Sequence, residues 1–412
     1  MRSGWRRRGI ALSRDGTAQP FLDLFAGPGG WDEGIKGLGI RPLGIEWDAA
    51  TCDTRIAAGH RTYREDVATL EPGWFSPCEL LIASPPCQAF SAAGKGEGNK
   101  DVPIIYKVAR DLGRGKDSRS QWSYHLSDQR SLLVVEPLRF ALKLKPRWIA
   151  LEQVPPVLAV WKAFAEILRE HGWRVWCGLL SAERFGVAQT RERAFLIADR
   201  EAWPAPPEPT HQEYQYGVPA SEQHTIEGTL LPWVSMAEAL GWGMTERPSV
   251  TVIAQANRGG GAAPLDGGSG ARETLRRERR EGRWYDRRQG NTLPDGTRQM
   301  VRLVPDTEPA PTISAGTGDR DRWVFERPST TIAGDRRVFQ PGGHHEPGKQ
   351  SENAIPITLE EASILQGFRP DYPWRGATNK ILFQQIGNAV PPPLARAVIG
   401  SLVRAKYAEA AA

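Results

Sequence analysis

A short apolar run that ends in a double proline constrains this chain most. Leu80–Ala83 has the composition of a buried strand, and Pro85 and Pro86 follow it closely. Because proline fixes φ and has no N–H, the backbone that leads into Cys87 is rigid and cannot extend a sheet. α/β enzymes place their reactive groups at the ends of parallel strands. We therefore predict an α/β fold in which Cys87 is a nucleophile presented at a strand end.

The other cysteines fit a different interpretation. A cysteine attacks as the thiolate, so a catalytic cysteine needs a cationic or dipolar neighbour. A buried structural cysteine is the commoner alternative, and that interpretation is kept for Cys52, Cys78 and Cys177. With four cysteines and no C-x-x-C pair, the sequence predicts neither disulfides nor structural zinc, and it favours a reducing cytoplasm.

The composition is that of a globular protein, with 40% apolar and 25% charged residues among 412. No apolar run reaches membrane-spanning length, so neither a transmembrane segment nor a membrane partner is predicted. The basic start of the chain is not followed by an apolar segment, which predicts a loose tail over residues 1–19 rather than a signal peptide. The net charge of +5 is small, so the distribution of charge matters more than its total.

Three predicted strand ends carry groups suited to one ligand. Residues 21–30 form a buried strand that runs into a glycine-rich turn, and Glu46 ends the next strand about 20 residues later, where a carboxylate can bind ribose hydroxyls. Trp47 offers a flat face for adenine, with core packing as the alternative. Asp66 ends a third strand. The full dinucleotide glycine spacing is absent, so the series predicts an adenosyl ligand rather than a phosphate-rich one.

The stretch after the candidate nucleophile lacks apolar periodicity over residues 89–129. A structureless segment of this length inside a compact domain is often a functional lid. A plain surface insertion is the alternative. Its position directly after Cys87 favours a lid that closes on substrate.

A second strand halted by prolines ends in a carboxylate. Residues 148–151 are apolar, and Glu152 follows them. An ionised carboxylate is costly to bury at such a position, so we expect Glu152 to be hydrogen-bonded or to keep its proton, which suits a proton donor.

An arginine-containing element follows at residues 189–193, which read QTRER. In an extended backbone the alternation places Gln189, Arg191 and Arg193 on one face. A solvated charge run is the alternative.

The composition changes from Trp203. From there to Lys349 the chain is rich in glycine, proline, threonine and arginine and poor in long apolar runs, which predicts a small, loop-rich domain. Eight arginines lie between Arg272 and Arg288. Phosphate contact is one interpretation of these arginines, and a solvated helix or disordered arm is the other.

Helical signals return near the C-terminus. Thr358 is an expected N-cap with Glu361 three residues later, and Gly367 ends that helix. A last helix is expected from about residue 392 to residue 407.

Six ordered motifs resemble those of the cytosine-5 DNA methyltransferase family, of bacterial or phage type. They are the cofactor loop at residues 23–30 (DLFAGPGG), the nucleophile motif at 86–88 (PCQ), the glutamate motif at 152–154 (EQV), the Q-x-R-x-R element at 189–193, and the closing motifs at 365–368 (LQGF) and 387–392 (GNAVPP). Each alone is weak, but together and in this order they are specific.

The resemblance implies a class I S-adenosylmethionine-dependent methyltransferase. Its fold would be α/β, with a Rossmann-like, doubly wound mixed sheet and a smaller inserted target-recognition domain. The catalytic domain would comprise residues 20–200 and 355–412, and the target-recognition domain residues 201–354.

The resemblance also implies the chemistry. Cys87 would attack C6 of a cytosine flipped out of duplex DNA. Glu152 would hydrogen-bond or protonate N3, while Arg193, with Arg191 as a second candidate, would hold the base carbonyl. S-adenosylmethionine would be the methyl donor, and no metal is implied.

Binding residues are implied in the same way. The expected cofactor pocket consists of Phe25, Gly27, Gly29, Glu46, Trp47, Asp66, Pro86, Leu133, Asn388 and Ala389. The expected DNA contacts are Ser91, Gln189, Arg276, Arg277, Arg279 and Arg280. The partner would be double-stranded DNA, and the enzyme a cytoplasmic monomer of the restriction–modification type.

One position departs from the family pattern. The glutamate motif normally reads Glu-Asn-Val, whereas here Gln153 supplies an amide on a side chain one methylene longer. We expect rearranged hydrogen bonds to the nucleophile loop, with an effect on rate rather than on reaction type. An RNA (tRNA) cytosine-5 methyltransferase, a catalytically impaired DNA-binding homologue and a different donor are the alternatives.

Overall fold

The computed structural model describes residues 21–86, 90, 98–215, 229–240 and 358–407, together with five short strands between residues 284 and 356. Several predicted site residues lie outside the described residues, as does the predicted tail at 1–19: Cys87, Ser91, Arg276, Arg277, Arg279 and Arg280.

A mixed sheet organises the described chain. Its strands and a short neighbouring strand, β7, are β1 Phe21–Leu24, β2 Leu43–Glu46, β3 Thr62–Arg64, β4 Leu80–Ala83, β5 Trp148–Gln153, β6 Arg174–Ser181, β7 Gln189–Thr190 and β8 Glu192–Asp199. Seven of them form one sheet in the order β3-β2-β1-β4-β5-β8-β6. The first five in that order run parallel, while β8 is antiparallel to both β5 and β6. The predicted α/β fold with a doubly wound mixed sheet is confirmed.

Helices lie on both sides of this sheet. The helices of the described residues are α1 Gly30–Ile35, α2 Ala49–Ala57, α3 Gly98–Gly113, α4 Arg119–Trp122, α5 Glu136–Leu144, α6 Leu158–Glu170, α7 Met236–Leu240, α8 Leu359–Leu365, α9 Asn379–Asn388 and α10 Pro392–Tyr407. Of these, α3, α5 and α6 pack on one face of the sheet, and α1 and α10 pack on the other. The remaining short strands are Trp284–Asp286, Val301–Leu303, Ser329–Thr330, Arg337–Val338 and Ile355–Pro356.

The central strand β4 is apolar throughout because both of its faces are buried. Leu81 and Ala83 belong to the core that also contains side chains of α3, α5 and α6. Leu80 and Ile82 belong to a second core with side chains of α1 and α10. Strands covered on both faces lose the alternation of polar and apolar residues, and helices on both faces produce this pattern.

The prediction of a structureless segment over residues 89–129 is wrong over residues 98–113. α3 spans 16 residues of it. Ile105, Val108, Ala109 and Leu112 are buried at helical spacing and pack into the core. The glycines and lysines near its start obscured this apolar stripe in the sequence. Residues 98–113 therefore form a helix packed into the core and do not belong to the predicted lid. Residues 91–97 lie outside the described residues.

The C-terminal segment returns to the sheet as predicted. α8 begins with a capping box between Thr358 and Glu361, and Gly367 follows its end at φ 86°. α10 packs against α1, whose Gly30 lies so close to the backbone of Val390 that a Cβ would overlap it. This contact fixes residues 358–407, hereafter the closing segment, beside the turn that follows β1.

The described residues contain neither a candidate membrane span nor a candidate metal-binding cluster. No helix in them is both long enough and apolar enough to cross a membrane. They also contain no group of three or more histidine, cysteine, aspartate or glutamate side chains that could hold a metal ion.

Candidate active site

Three of the predicted site elements lie at the carboxyl ends of neighbouring parallel strands. Leu24 pairs with Ala83, and Ala83 pairs with Leu151, so β1 and β4 end level with Leu151, two residues before the end of β5. The glycine-rich turn follows β1, the double proline follows β4, and Glu152 is the next residue of β5 after Leu151. In open α/β sheets this edge is where ligands bind.

Glu152 is buried and paired with Arg193. The Nε atom of Arg193 lies 3.3 Å from Oε1 of Glu152, and Nη1 donates to the carbonyl of Glu192 at 2.7 Å. The antiparallel register places Glu152 opposite Phe195, so Arg193 is its diagonal neighbour on the same face. Arg193 is thus the charge partner that a buried carboxylate requires.

Gln153 connects the same strand to the double proline. Its Nε2 donates to the carbonyl of Pro85 at 2.7 Å, and its Oε1 accepts from the N–H of Val154 at 2.6 Å. Both ends of the buried amide are therefore used. The strand that carries Glu152 is tied to the backbone two residues before position 87.

The three described cysteines have the properties of structural thiols. Cys52, Cys78 and Cys177 are free and wholly or partly buried. Burial raises the pKa of Cys52 to about 11 and that of Cys78 to about 12, and it also raises the pKa of Cys177. A thiol that ionises so late is a poor nucleophile at neutral pH, so the structural interpretation of these residues is supported.

The turn after β1 has an unusual backbone. Phe25 adopts φ 56° although it is not glycine, and Gly27 adopts φ 55°. The N–H of Gly27 donates to Oε2 of Glu46 at 3.0 Å. A Cβ built on Gly27 would meet no atom within 4 Å, so the turn borders open space. Left-handed backbone at a non-glycine residue often marks a binding site.

Glu46 and Trp47 border the same space. Oε1 of Glu46 accepts from the N–H groups of Trp47 and Asp48, each at 2.9 Å, while burial raises the pKa of this carboxyl. The Trp47 side chain is 71% exposed, which rules out the core-packing alternative for its ring. An open aromatic face beside a carboxylate fits an adenosyl group.

Asp66 and Leu133 lie near a network of charged side chains centred on Glu136. Oδ1 of Asp66 accepts from the N–H of Ala68 at 2.9 Å, and Leu133 is half-buried in the 3-10 helix Gln129–Val135. Sequence reasoning missed the support behind them, a buried Glu136 that pairs with two arginines. These arginines donate to the carbonyls of the loop after Asp66: Arg119 to Ala68, and Arg139 to Val67 and Leu70. The i,i+3 pair of Glu136 and Arg139 was the available sequence signal.

Gln189 and Arg191 face the closing segment rather than solvent. The Nε2 atom of fully buried Gln189 donates to the carbonyl of Leu365 at 3.2 Å and to Oε1 of Gln366 at 3.0 Å. Nη1 of buried Arg191 donates to the carbonyl of Gly387 at 2.8 Å. Gln189 is fully buried in this structure, so its contacts favour a role in positioning the closing segment, and the DNA contact stays a prediction. Of the three residues expected on one face, the structure joins Arg193 alone to Glu152.

The closing segment brings its own two residues to this edge. Asn388 is exposed at the end of α9. The buried Ala389 that follows it accepts a hydrogen bond on its carbonyl from Nε2 of Gln366 at 2.5 Å. Contact of Val390 with Gly30 places both residues near the turn after β1. The turn, the three strand ends and this segment together have the donors, acceptors and open aromatic face that S-adenosylmethionine requires.

Comparison with known proteins identifies the family. The family model described as C-5 cytosine-specific DNA methylase matches residues 20–112 and 118–404. The Type II methyltransferase M1.HphI of Haemophilus parahaemolyticus is 26% identical over 403 residues, which cover 93% of this chain and 86% of the relative. The Type II methyltransferase M.XorII of Xanthomonas oryzae pv. oryzae is 26% identical over 419 residues, covering 93% of this chain and 84% of that protein.

Fold and site together define a class I S-adenosylmethionine-dependent methyltransferase. Because the family model spans most of its length, the chain belongs to the C-5 cytosine-specific DNA methylase family. It is a DNA (cytosine-5) methyltransferase that uses S-adenosylmethionine as donor and DNA as substrate.

Proposed function

We propose that methyl transfer proceeds through Cys87, with Glu152 and Arg193 acting on the target base. The observation that carries this proposal is the hydrogen bond that joins the end of β5 to the double proline after β4. Gln153 ties β5 to the carbonyl of Pro85, while Glu152 on the same strand pairs with Arg193. The chain that leads to position 87 is thereby linked to the strand that carries the acid.

The order of events follows from the electronics of cytosine. C5 is a poor nucleophile, and addition of the Cys87 thiolate to C6 forms a C6–S bond that moves electron density towards C5 and N3. Glu152 supplies the proton that N3 takes up, and Arg193 stabilises charge on the base carbonyl. When bound, S-adenosylmethionine would supply an electrophilic methyl group for the new bond at C5, and the S–CH3 bond would break to leave neutral S-adenosylhomocysteine. Loss of the C5 proton to a base, with return of the N3 proton to Glu152, then breaks the C6–S bond and releases Cys87.

The donor would be held at the carboxyl ends of β1, β2 and β3. Trp47 and Phe25 would contact the adenine, and Glu46 would accept from the ribose hydroxyls. The remaining residues proposed for this pocket are Gly27, Gly29, Asp66, Pro86, Leu133, Asn388 and Ala389. Exposure of the Trp47 ring and the open space beside Gly27 support this placement.

Two residues of the Q-x-R-x-R element would act indirectly. Gln189 and Arg191 both donate to carbonyl groups of the closing segment, Gln189 to Leu365 and Arg191 to Gly387. We assign them the role of positioning that segment, which carries Asn388, against the cofactor. Arg193 keeps the direct role.

Sequence recognition would belong to residues 201–354, inserted between catalytic segments at 20–200 and 355–412. Arginines neutralise phosphates and read guanine edges, which supports a DNA role for Arg276, Arg277, Arg279 and Arg280. Ser91 would contact DNA from the catalytic part. Changing the four arginines to alanine should flatten the salt dependence of DNA binding, and an unchanged slope would refute the phosphate contacts.

We also propose a cellular location, an oligomeric state and a biological role for the enzyme. The free thiols of Cys52, Cys78 and Cys177 support a reducing cytoplasm, and we propose a monomer that acts there. The relatives described as Type II methyltransferases support a restriction–modification role. The pairing of Glu152 with Arg193 speaks against a catalytically impaired homologue. Parallel assays on duplex DNA and tRNA would separate the DNA enzyme from an RNA enzyme of the same chemistry.

A trapping experiment tests the covalent mechanism. In an oligonucleotide that contains 5-fluorocytosine, the fluorine cannot leave as a cation, so the Cys87 adduct should persist once methylation has occurred. The wild-type protein and the matched control Cys177→Ser should give a slower-migrating band with donor present. Cys87→Ala should give no band and should keep its affinity for S-adenosylmethionine. An active enzyme without an adduct, or normal turnover in Cys87→Ala or Cys87→Ser, would contradict the mechanism.

A further inference from the structure

A fully buried arginine in α2 forms a fork with a buried aspartate of α1. Nη1 of Arg55 lies 2.9 Å from Oδ2 of Asp32, and Nη2 lies 3.0 Å from Oδ1. This bidentate geometry is the strong form of an arginine–carboxylate pair. The residue at position 44 is a glycine, and a Cβ there would overlap the guanidinium of Arg55. The neighbouring strand β2 therefore leaves room for this side chain.

The same guanidinium also binds the backbone of the turn after β1. Nη1 of Arg55 donates to the carbonyl of Ala26 at 3.0 Å and to the carbonyl of Gly27 at 3.4 Å. From the other direction, the N–H of Gly27 donates to Oε2 of Glu46 at 3.0 Å. Two buried charged side chains from different elements thus fix both polar groups of Gly27.

Stability alone does not explain so many buried charges. Asp23, Asp32, Glu46 and Arg55 are all buried in this part of the molecule. Burial and the nearby Asp32 raise the pKa of Asp23 well above its usual range, and its oxygens have no hydrogen-bond donor among the described residues. Apolar side chains of similar volume often stabilise a core as well as a buried ion pair does. A role in fixing the turn gives the buried guanidinium a function beyond stability.

We propose that Arg55 is a positioning residue for S-adenosylmethionine, which it serves by fixing the carbonyls of Ala26 and Gly27 in the turn that borders the cofactor site. The inference rests on the proposed cofactor pocket. The left-handed backbone at Phe25 is disfavoured for a free chain, and Gly27 is free to adopt other conformations, so the turn needs external restraint to keep one conformation. A turn that is only partly in the competent conformation binds its ligand more weakly in proportion to that fraction.

Arg55→Lys tests the proposal because it keeps the positive charge and removes the fork. S-adenosylhomocysteine is a suitable probe, since it binds without reacting and its Kd can be measured by calorimetry on the full chain without DNA. We expect the Kd of Arg55→Lys to rise roughly tenfold or more, the size of effect seen when a hydrogen bond to a charged group is lost. At saturating donor, kcat and the KM for DNA should stay within about threefold of wild type, a split that a general loss of structure would not give.

Two further variants complete the design. Asp32→Asn keeps Arg55 in place but removes its charge partner, and it should raise the Kd in the same direction. Arg174→Lys is the matched control, because Arg174 donates to the carbonyl of Arg200 at 2.7 Å on strand β6, at the sheet edge away from the turn. Its Kd should equal that of wild type.

The outcomes separate two failures. If wild type binds S-adenosylhomocysteine and Arg55→Lys, once folded, binds it equally well, the role of Arg55 is refuted while the proposed function stands. If kcat falls with an unchanged Kd, Arg55 acts elsewhere and the inference is also refuted. If the wild-type protein does not bind the probe at all, the proposed cofactor pocket fails first.

Discussion

Nε of Arg193 lies 3.3 Å from Oε1 of Glu152, and both side chains are nearly buried at the end of the sheet where the parallel strands β1, β4 and β5 finish. The antiparallel pairing of β5 with β8 is what brings them together, since it makes Arg193 a diagonal neighbour of Glu152. An all-parallel continuation of the sheet would not have put the arginine at this edge. The antiparallel strand β8 is therefore what completes the pair of Glu152 and Arg193.

Glu152→Gln should abolish most methyl transfer while leaving donor binding intact. The amide keeps the size of the side chain but cannot deliver a proton to N3, and a positioned general acid contributes about 10²-fold or more. We expect single-turnover rates to fall by at least roughly 10²-fold. The Kd for S-adenosylhomocysteine should not change. Glu166→Gln, an exposed glutamate of α6, is the control and should retain full activity.

Gln153→Asn should slow the enzyme even though it restores the usual family residue. The shorter amide cannot span both the carbonyl of Pro85, now 2.7 Å from Nε2, and the N–H of Val154, now 2.6 Å from Oε1. Losing one of these bonds should loosen the backbone before Cys87. We expect kcat to fall roughly tenfold, in line with a misplaced catalytic group. A Gln153→Asn enzyme as fast as wild type would show that the bond to Pro85 is not needed.

Trp47→Ala should weaken donor binding without affecting folding. Trp47 is 71% exposed and Trp203 is 70% exposed, so each alanine variant should change the free energy of unfolding by no more than about 0.5 kcal/mol. The lost stacking should raise the Kd for S-adenosylhomocysteine roughly fivefold to tenfold in Trp47→Ala. Trp203→Ala should bind like wild type. Equal Kd values in calorimetry of the two variants would remove Trp47 from the adenine site.

The sheet and the strand-end residues could be predicted because their signals are local. Proline rules mark the ends of β4 and β5, and a carboxylate next to such an end is visible in the sequence, as for Glu152 and Glu46. The fold class follows from these signals, as does the order along the chain of the strands that carry the predicted site residues. Family motifs then added the cofactor and the reaction.

The features that could not be predicted are contacts with side chains that the local sequence does not indicate. Arg55 looks like a surface residue of a polar helix, and its burial follows from contact with Asp32 and from the space beside Gly44. Alternation showed that Gln189 shares a face with other residues, but not that a helix 176 positions later covers that face. Apolar spacing for α3 was present, yet it lay beside a glycine-rich stretch and was overlooked.

The pH dependence of stability should carry the signature of Glu183. Burial raises the pKa of this carboxyl from its ordinary 4.5 to about 7, and the charge of Glu213 adds to the rise. Because the folded state holds the proton more tightly than the unfolded state, the contribution to stability is complete below about pH 4.5. It is lost as the pH rises through about 7.

Glu183→Gln removes the titratable carboxyl group. The difference between wild type and this variant therefore measures the contribution of Glu183. Between pH 5 and pH 8, the unfolding free energy of wild type should fall by about 2 to 3 kcal/mol more than that of Glu183→Gln. Urea unfolding of both proteins at the two pH values measures the difference. The exposed Glu166→Gln should follow the wild-type curve. Parallel pH curves for wild type and Glu183→Gln would mean that Glu183 ionises as easily in the folded protein as in the unfolded chain.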